Sequence, residues 1–101
     1  MPKGEIKIFH FNEVLTTKEI EERMDKDGFR PATLQEMLSH AAKNWDGKEW
    51  WVALGSVWVG SGGYRCVACL GRRGSGRDLF LVWDDPDNSW DGVYRFAGVS
   101  K

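Results

Sequence analysis

From Trp51 to Ser100 the chain contains no Lys, Glu, Gln or Met, while the first fifty residues hold nearly all of its copies of these four. All four are good helix formers and weak strand formers. The division therefore predicts a helical half followed by a sheet half, an α+β arrangement. Twelve glycines and six tryptophans, most of them after residue 50, fit a loop-rich sheet with an aromatic core. At 101 residues the chain is expected to form one domain, 1–101, around one modest core. A net charge of −1 and a pI near 6.1 lack the basic excess of a dedicated nucleic-acid binder, so no nucleic-acid partner is expected.

Two helix starts are written plainly in the first half. Thr16 is an N-cap with Glu19 three residues on, and Leu15 and Ile20 occupy the hydrophobic-staple positions around it. This helix is predicted from about Thr17 to Lys26, with Gly28 as the residue that ends it. Thr33 and Glu36 repeat the capping box. Leu34, Met37, Leu38, Ala41 and Trp45 then recur at helical spacing, which predicts one core-facing stripe, with His40 just off it as a packing residue. Ahead of both, Glu5 to Phe11 reads as a strand with apolar residues on both parities, so cover on both faces is expected.

The second half reads as strands. Trp50 to Val59 is one strand with a bend or bulge at Gly55, and Tyr64 to Leu70 pairs back on it across a glycine turn. Gly71 to Arg77, with Arg72, Arg73 and Arg77, reads as an exposed basic loop. Leu79 to Trp83 and Val93 to Val99 are the terminal strands. Between them runs Asp84-Asp85-Pro86-Asp87-Asn88-Ser89-Trp90-Asp91-Gly92, a polar loop interrupted by one tryptophan. A polar loop held between two rigid strands is what a binding site needs. In the first terminal strand the large odd residues Leu79, Leu81 and Trp83 are expected in the core, leaving Phe80 and Val82 on the outer face. Trp83, Trp90 and Phe96 are expected to be scaffold that pins the loop.

Three constellations that resemble chemistry are read as structural. Cys66 and Cys69, three apart in a strand, point to opposite faces, which predicts neither a disulfide nor a zinc site. Asp84, Asp85, Asp87, Asn88 and Asp91 do not follow the EF-hand spacing, because Trp90 falls where its glycine belongs, so a solvated turn-forming loop is expected and no metal. The three arginines lack the lysine and helix start of a phosphate-binding loop. No nucleophile and base are spaced to argue for catalysis. The chain is read as a non-enzyme without cofactor. Residues 1–20 lack a basic start followed by an apolar run, and no stretch is long enough to span a bilayer. The expectation is a chain without membrane insertion, cytoplasmic unless exported by another route.

The order of strand, two helices and loop-rich antiparallel sheet resembles the C-type lectin fold. Gly28 to Leu34 is similar to the lead into that fold's second helix, Trp51 to Trp58 to its central strand, and Tyr94 to Val99 to its closing strand. The paired disulfide cysteines and the Glu-Pro-Asn calcium motif of animal lectins are absent. The C-terminal segment resembles more closely the variable proteins of diversity-generating retroelements. Their hypervariable segment keeps residues like Leu79, Leu81, Trp83, Trp90, Arg95, Phe96 and Ala97 fixed. This resemblance implies a C-type lectin-like domain, two helices on a loop-rich antiparallel sheet, with a variable region at about 78–99. Randomising the adenines of AAC codons yields no Lys, Glu, Gln, Met or Trp. None of these occurs at Phe80, Val82, Asp84, Asp85, Asp87, Asn88, Ser89, Asp91, Gly92 or Val93.

These ten are the candidate ligand-binding residues. The implied function is recognition of variable targets, proteins or other surface molecules, by a monomer. The alternatives are a lectin-like interaction module of fixed specificity and, on the strength of the cysteines alone, an enzyme of the formylglycine-generating type.

Overall fold

Both helices begin where the threonines place them. The computed structural model describes residues 4–60, 62–73, 76–83 and 89–101. Helix α1 is Thr17–Lys26 and α2 is Leu34–Asn44. Each is preceded by a complete capping box, Thr16 with Glu19 and Thr33 with Glu36, which satisfies backbone N–H groups the helix itself cannot. Gly28 follows α1 at φ +82°, the left-handed conformation that ends a helix. Leu15 and Ile20 are both buried, as a staple requires. On α2 the core stripe holds Met37, Leu34, Ala41 and Trp45, but Leu38 is exposed rather than buried. Among the described residues no helix is long and apolar enough to cross a membrane.

The strands are β1 Ile6–Phe9, β2 Leu15–Thr16, β3 Phe29–Pro31, β4 Trp50–Val59, β5 Arg65–Arg73, β6 Gly76–Trp83, β7 Ser89–Trp90 and β8 Tyr94–Ser100. The main sheet runs β1-β8-β4-β5-β6, with β3 also pairing β8, and β2 pairs β7 in a small second sheet. The first and last strands lie side by side, with Ile6 opposite Val99 and Phe9 opposite Phe96. The sheet is not wholly antiparallel: β4 and β8 run parallel, Trp50 to Val52 beside Tyr94 to Phe96. The expected bend at Gly55 is a register shift between Ala53 and Val57. A Cβ at Gly55 would stand 2.6 Å from Ala32 O, so the chain approaches too closely there for any other residue. The basic stretch is mostly strand rather than loop: Gly71 pairs Asp78, Arg72 pairs Arg77 and Arg73 pairs Gly76. Extending an existing ladder outweighs the weak strand preference of Gly and Arg.

Alternation along each strand divides the apolar residues between two faces. On the α1 side lie Phe9, Ile20, Met24, Phe29, Val52, Leu54, Val67, Cys69, Trp90 and Phe96. On the α2 side lie Met37, Trp51, Ala53, Leu70, Ala97 and Val99, with Ile6 and Ile8 against them. Strand β1 is thus covered on both faces, as expected. Cys66 and Cys69 do point to opposite faces. Cys69 belongs to the α1-side core, and Cys66 is paired between Trp58 and Trp83.

One expectation is inverted. Leu79, Leu81 and Trp83 are 43%, 57% and 63% exposed, whereas Phe80 and Val82 pack against the α1-side core. Register decides this. Phe80 stands opposite Cys69 and Val82 opposite Val67, and directly paired residues share a face. Trp83 is therefore not buried scaffold, and it stacks on Tyr64 with ring centroids 5.2 Å apart.

Candidate functional site

Among the described residues just ahead of β8, Trp90 is the buried anchor. Trp90 is 3% exposed. Its neighbour pairs, Leu15 with Trp90 and Thr16 with Ser89, tie β7 to the strand leading into α1. Its indole Nε1 donates to Thr17 Oγ1 at 2.8 Å. Its ring meets Tyr94 and Phe96 edge-on at 5.1 and 5.6 Å, a favoured aromatic geometry. The two expected anchors Trp90 and Phe96 are both in the core.

The short segment from Asp91 to Val93 is then shaped by its own polar groups. Asp91 Oδ1 accepts from Val93 N at 2.9 Å, an Asx turn. His10 Nε2 stands 2.7 Å from Gly92 O, so the imidazole donates from that nitrogen. Asn12 adopts φ +55°, which Asn tolerates better than most residues. A Cβ at Gly92 would meet the Asn12 backbone at 3.3–3.4 Å, so the two stretches are closely apposed.

A cleft of about 460 Å³ opens beside this segment. His10 and Asn12 contribute one wall, Lys48, Glu49 and Trp50 another, and Gly92, Val93 and Arg95 the third. Its charges are mixed and held in place. Arg95 Nε lies 3.5 Å from Glu49 Oε2, and Glu49 Oε1 accepts from Trp51 Nε1 at 2.9 Å. Nearby, Asp46 Oδ1 accepts from the backbone N–H of Lys48 and of Glu49, which holds its carboxyl below the usual range, with smaller contributions from the charges of Lys48 and Arg95. Burial pushes the Tyr94 phenol up from its ordinary value. The cleft thus offers donors, acceptors and the Trp50 ring in one recess, the mixture a recognition site uses. Another groove, of about 450 Å³, lies between α1 and β3 and is lined by residues such as Lys18, Glu22, Asp25 and Arg30, none from the loop.

The candidate residues separate into groups. Ser89, Asp91 and Val93 are exposed together, and Gly92 and Val93 line the cleft. Phe80 and Val82 do not join them: both pack inward. The Phe80 ring meets Trp50 edge-on at 5.8 Å, so it supports the cleft wall from behind. Asp84, Asp85, Asp87 and Asn88 lie outside the described residues, and with them most of the acidic loop. Among the described residues no group of three or more His, Cys, Asp or Glu is placed to hold a metal ion. Sequence reasoning missed His10, Asn12, Lys48, Glu49 and Trp50 as site residues. These residues come from separate segments and share no motif or periodic spacing that would mark them as one site. Comparison with family models, with curated proteins and with solved structures produced no match to this chain.

Proposed function

We propose that this chain is a ligand-binding protein with a C-type lectin-like fold, and that it recognises variable targets through a diversified surface. That surface comprises Ser89, Asp91, Gly92 and Val93 with the adjoining cleft; the candidates Asp84, Asp85, Asp87 and Asn88, which precede them in sequence, lie outside the described residues. The target is a protein or another surface molecule, and the role is binding rather than catalysis. The fold reading draws support from the adjacent first and last strands, the two capped helices and the sheet built from the second half.

One observation carries the functional reading. Over residues 89–96 Ser89, Asp91 and Val93 are exposed while Trp90 and Phe96 are buried. Substitution at the exposed positions leaves the anchors untouched, so chemistry can vary while the loop keeps its place. A module of fixed specificity is the second reading. The close approach of Gly92 to Asn12 favours it, because a Cβ there would stand 3.3–3.4 Å from the Asn12 backbone and require it to give way slightly. The DNA beside the gene separates the two. A near-identical repeat with AAC codons at the candidate positions, next to a reverse-transcriptase gene, is the expected finding. A gene with no such repeat leaves the fixed-specificity module.

A further inference from the structure

The cleft beside Gly92 holds more unspent hydrogen-bond donors than acceptors. Glu49 has both carboxylate oxygens engaged: Oε1 accepts from Trp51 Nε1 at 2.9 Å, and Oε2 lies 3.5 Å from Arg95 Nε. Arg95 therefore meets its partner side-on, and among the described residues nothing bonds its two terminal nitrogens. Its side chain is only 27% exposed, so those N–H groups are partly withdrawn from water as well. Lys48 is exposed on the adjoining wall, and among the described residues its ammonium has no hydrogen bond or ion pair. A guanidinium presents its N–H groups as a planar fork that fits the two oxygens of a carboxylate, and an ammonium adds a point charge.

The surroundings limit how much charge a ligand can carry. Lys48 and Arg95 line the cleft against Glu49. Asp46 stands close enough to feel both cations, and the exposed Asp91 belongs to the adjoining turn. A phosphate dianion or a polyanion meets these three carboxylates with only two cations to offset them, and like charges in proximity repel. A single carboxylate needs no more than the Arg95 fork and Lys48. Beside these donors the Trp50 ring is held by Phe80 and Tyr94, at centroid distances of 5.8 and 5.6 Å, and by Gly71, where a Cβ would stand 3.3 Å from it. Trp50 and the exposed Val93 give the cleft an apolar flank next to its charges.

We propose that the cleft binds a carboxylate with an apolar flank, paired to the terminal nitrogens of Arg95 and to Lys48, with its alkyl or aryl part on Trp50 and Val93. This rests on the reading of the cleft as part of the recognition surface, and it names the chemistry of what is recognised. Arg95, Lys48 and Trp50 lie outside the ten candidate variable positions, whereas Gly92 and Val93 are among them. On that reading the charge anchor is constant, and exchange at Val93 alters which group beside the carboxylate is accepted. A free organic acid and an acidic side chain of a protein target offer the same chemistry.

Titration of the full chain with phenylpropionate, followed by nuclear magnetic resonance of the Trp50 indole and Arg95 side-chain signals, tests this. Phenylpropionamide, of the same shape without the charge, is the control. The acid is expected to shift both signals and to saturate in the millimolar range of a small fragment. The amide should bind at least tenfold more weakly, as loss of a charge-assisted hydrogen bond implies. Lys48→Gln, at an exposed position, should weaken the acid about two- to fivefold. Glu49→Gln keeps an acceptor for Trp51 Nε1 but removes the competing charge, so it should strengthen binding. Equal binding of acid and amide overturns the proposal. So does a Glu49→Gln variant that is folded and binds the acid as weakly as Lys48→Gln. A capped peptide with one central glutamate, beside its glutamine counterpart, separates the sources. Preference for the glutamate peptide assigns the carboxylate to a protein target, and binding of phenylpropionate alone assigns it to a free acid. An AAC-codon repeat beside the gene with no preference for the acid would remove the carboxylate chemistry and leave the diversified surface standing. Acid binding without that repeat would do the reverse.

Discussion

Trp90 carries a hydrogen bond as well as a ring into the core, and the two fail separately. Its Nε1 is satisfied by Thr17 Oγ1 at the first turn of α1. Thr17→Val keeps the shape and removes the acceptor. A buried donor left without a partner costs about 1–3 kcal/mol, so urea denaturation should show a loss of that size. Phe96 lies 2% exposed against Phe11 and Trp90, and Phe96→Ala should cost about 3–5 kcal/mol by the same measurement. An unchanged midpoint would remove either residue from the scaffold. Such aromatics are legible in sequence as anchors only where register agrees. Trp90 and Trp83 look alike in the sequence, yet one is buried and the other exposed. The difference comes from pairing partners, Leu15 on β2 for Trp90 and Cys66 on β5 for Trp83, that the local sequence does not reveal.

At the scale of elements, the local devices are the legible ones. A capping box needs only residues three apart, and both helices start as the threonines and glutamates predict. Pairing of β2, β3 and β7, each two or three residues long, depends on tertiary contact alone and leaves no periodic signal. The same holds for the cleft, whose walls come from three distant segments. Two predictions belong here. Glu36 accepts from both Arg30 Nη1 and Nη2 at 2.9 and 2.8 Å and from Thr33 N, and this pairing, led by Arg30, holds its carboxyl at about 2 instead of about 4.5. A depressed folded value stabilises the protein above the unfolded one. Its contribution is therefore full above pH about 4.5 and is lost as pH falls towards about 2. The melting temperature should fall through that window, and Glu36→Gln should flatten part of the fall. A pH profile identical in the variant would contradict this. Gly55→Ala drives a methyl group to 2.6 Å from Ala32 O and should cost about 1–3 kcal/mol in a thermal melt, as an overpacked site does. A melt matching the parent would show that the bulge has room to yield.

For the molecule as a whole, the division of labour is between a doubly covered sheet and a segment hung from it. The two-faced core uses apolar residues of both parities, so the runs Trp51 to Leu54 on β4 and Phe96 to Val99 on β8 are buried on both faces. Among the described residues of the segment before β8, Trp90 descends into the core while Ser89, Asp91 and Val93 remain outside. The central claim is that these two sets are energetically separate. Thermal unfolding of the Ser89→Asn, Asp91→Asn, Val93→Asn triple variant beside Trp90→Ala tests it directly. The triple variant is expected within about 2 kcal/mol of the parent, because exposed substitutions remove few buried contacts. Trp90→Ala is expected to lose about 3–5 kcal/mol. An unfolded triple variant, or a Trp90→Ala variant that melts with the parent, would contradict the separation of scaffold from recognition surface.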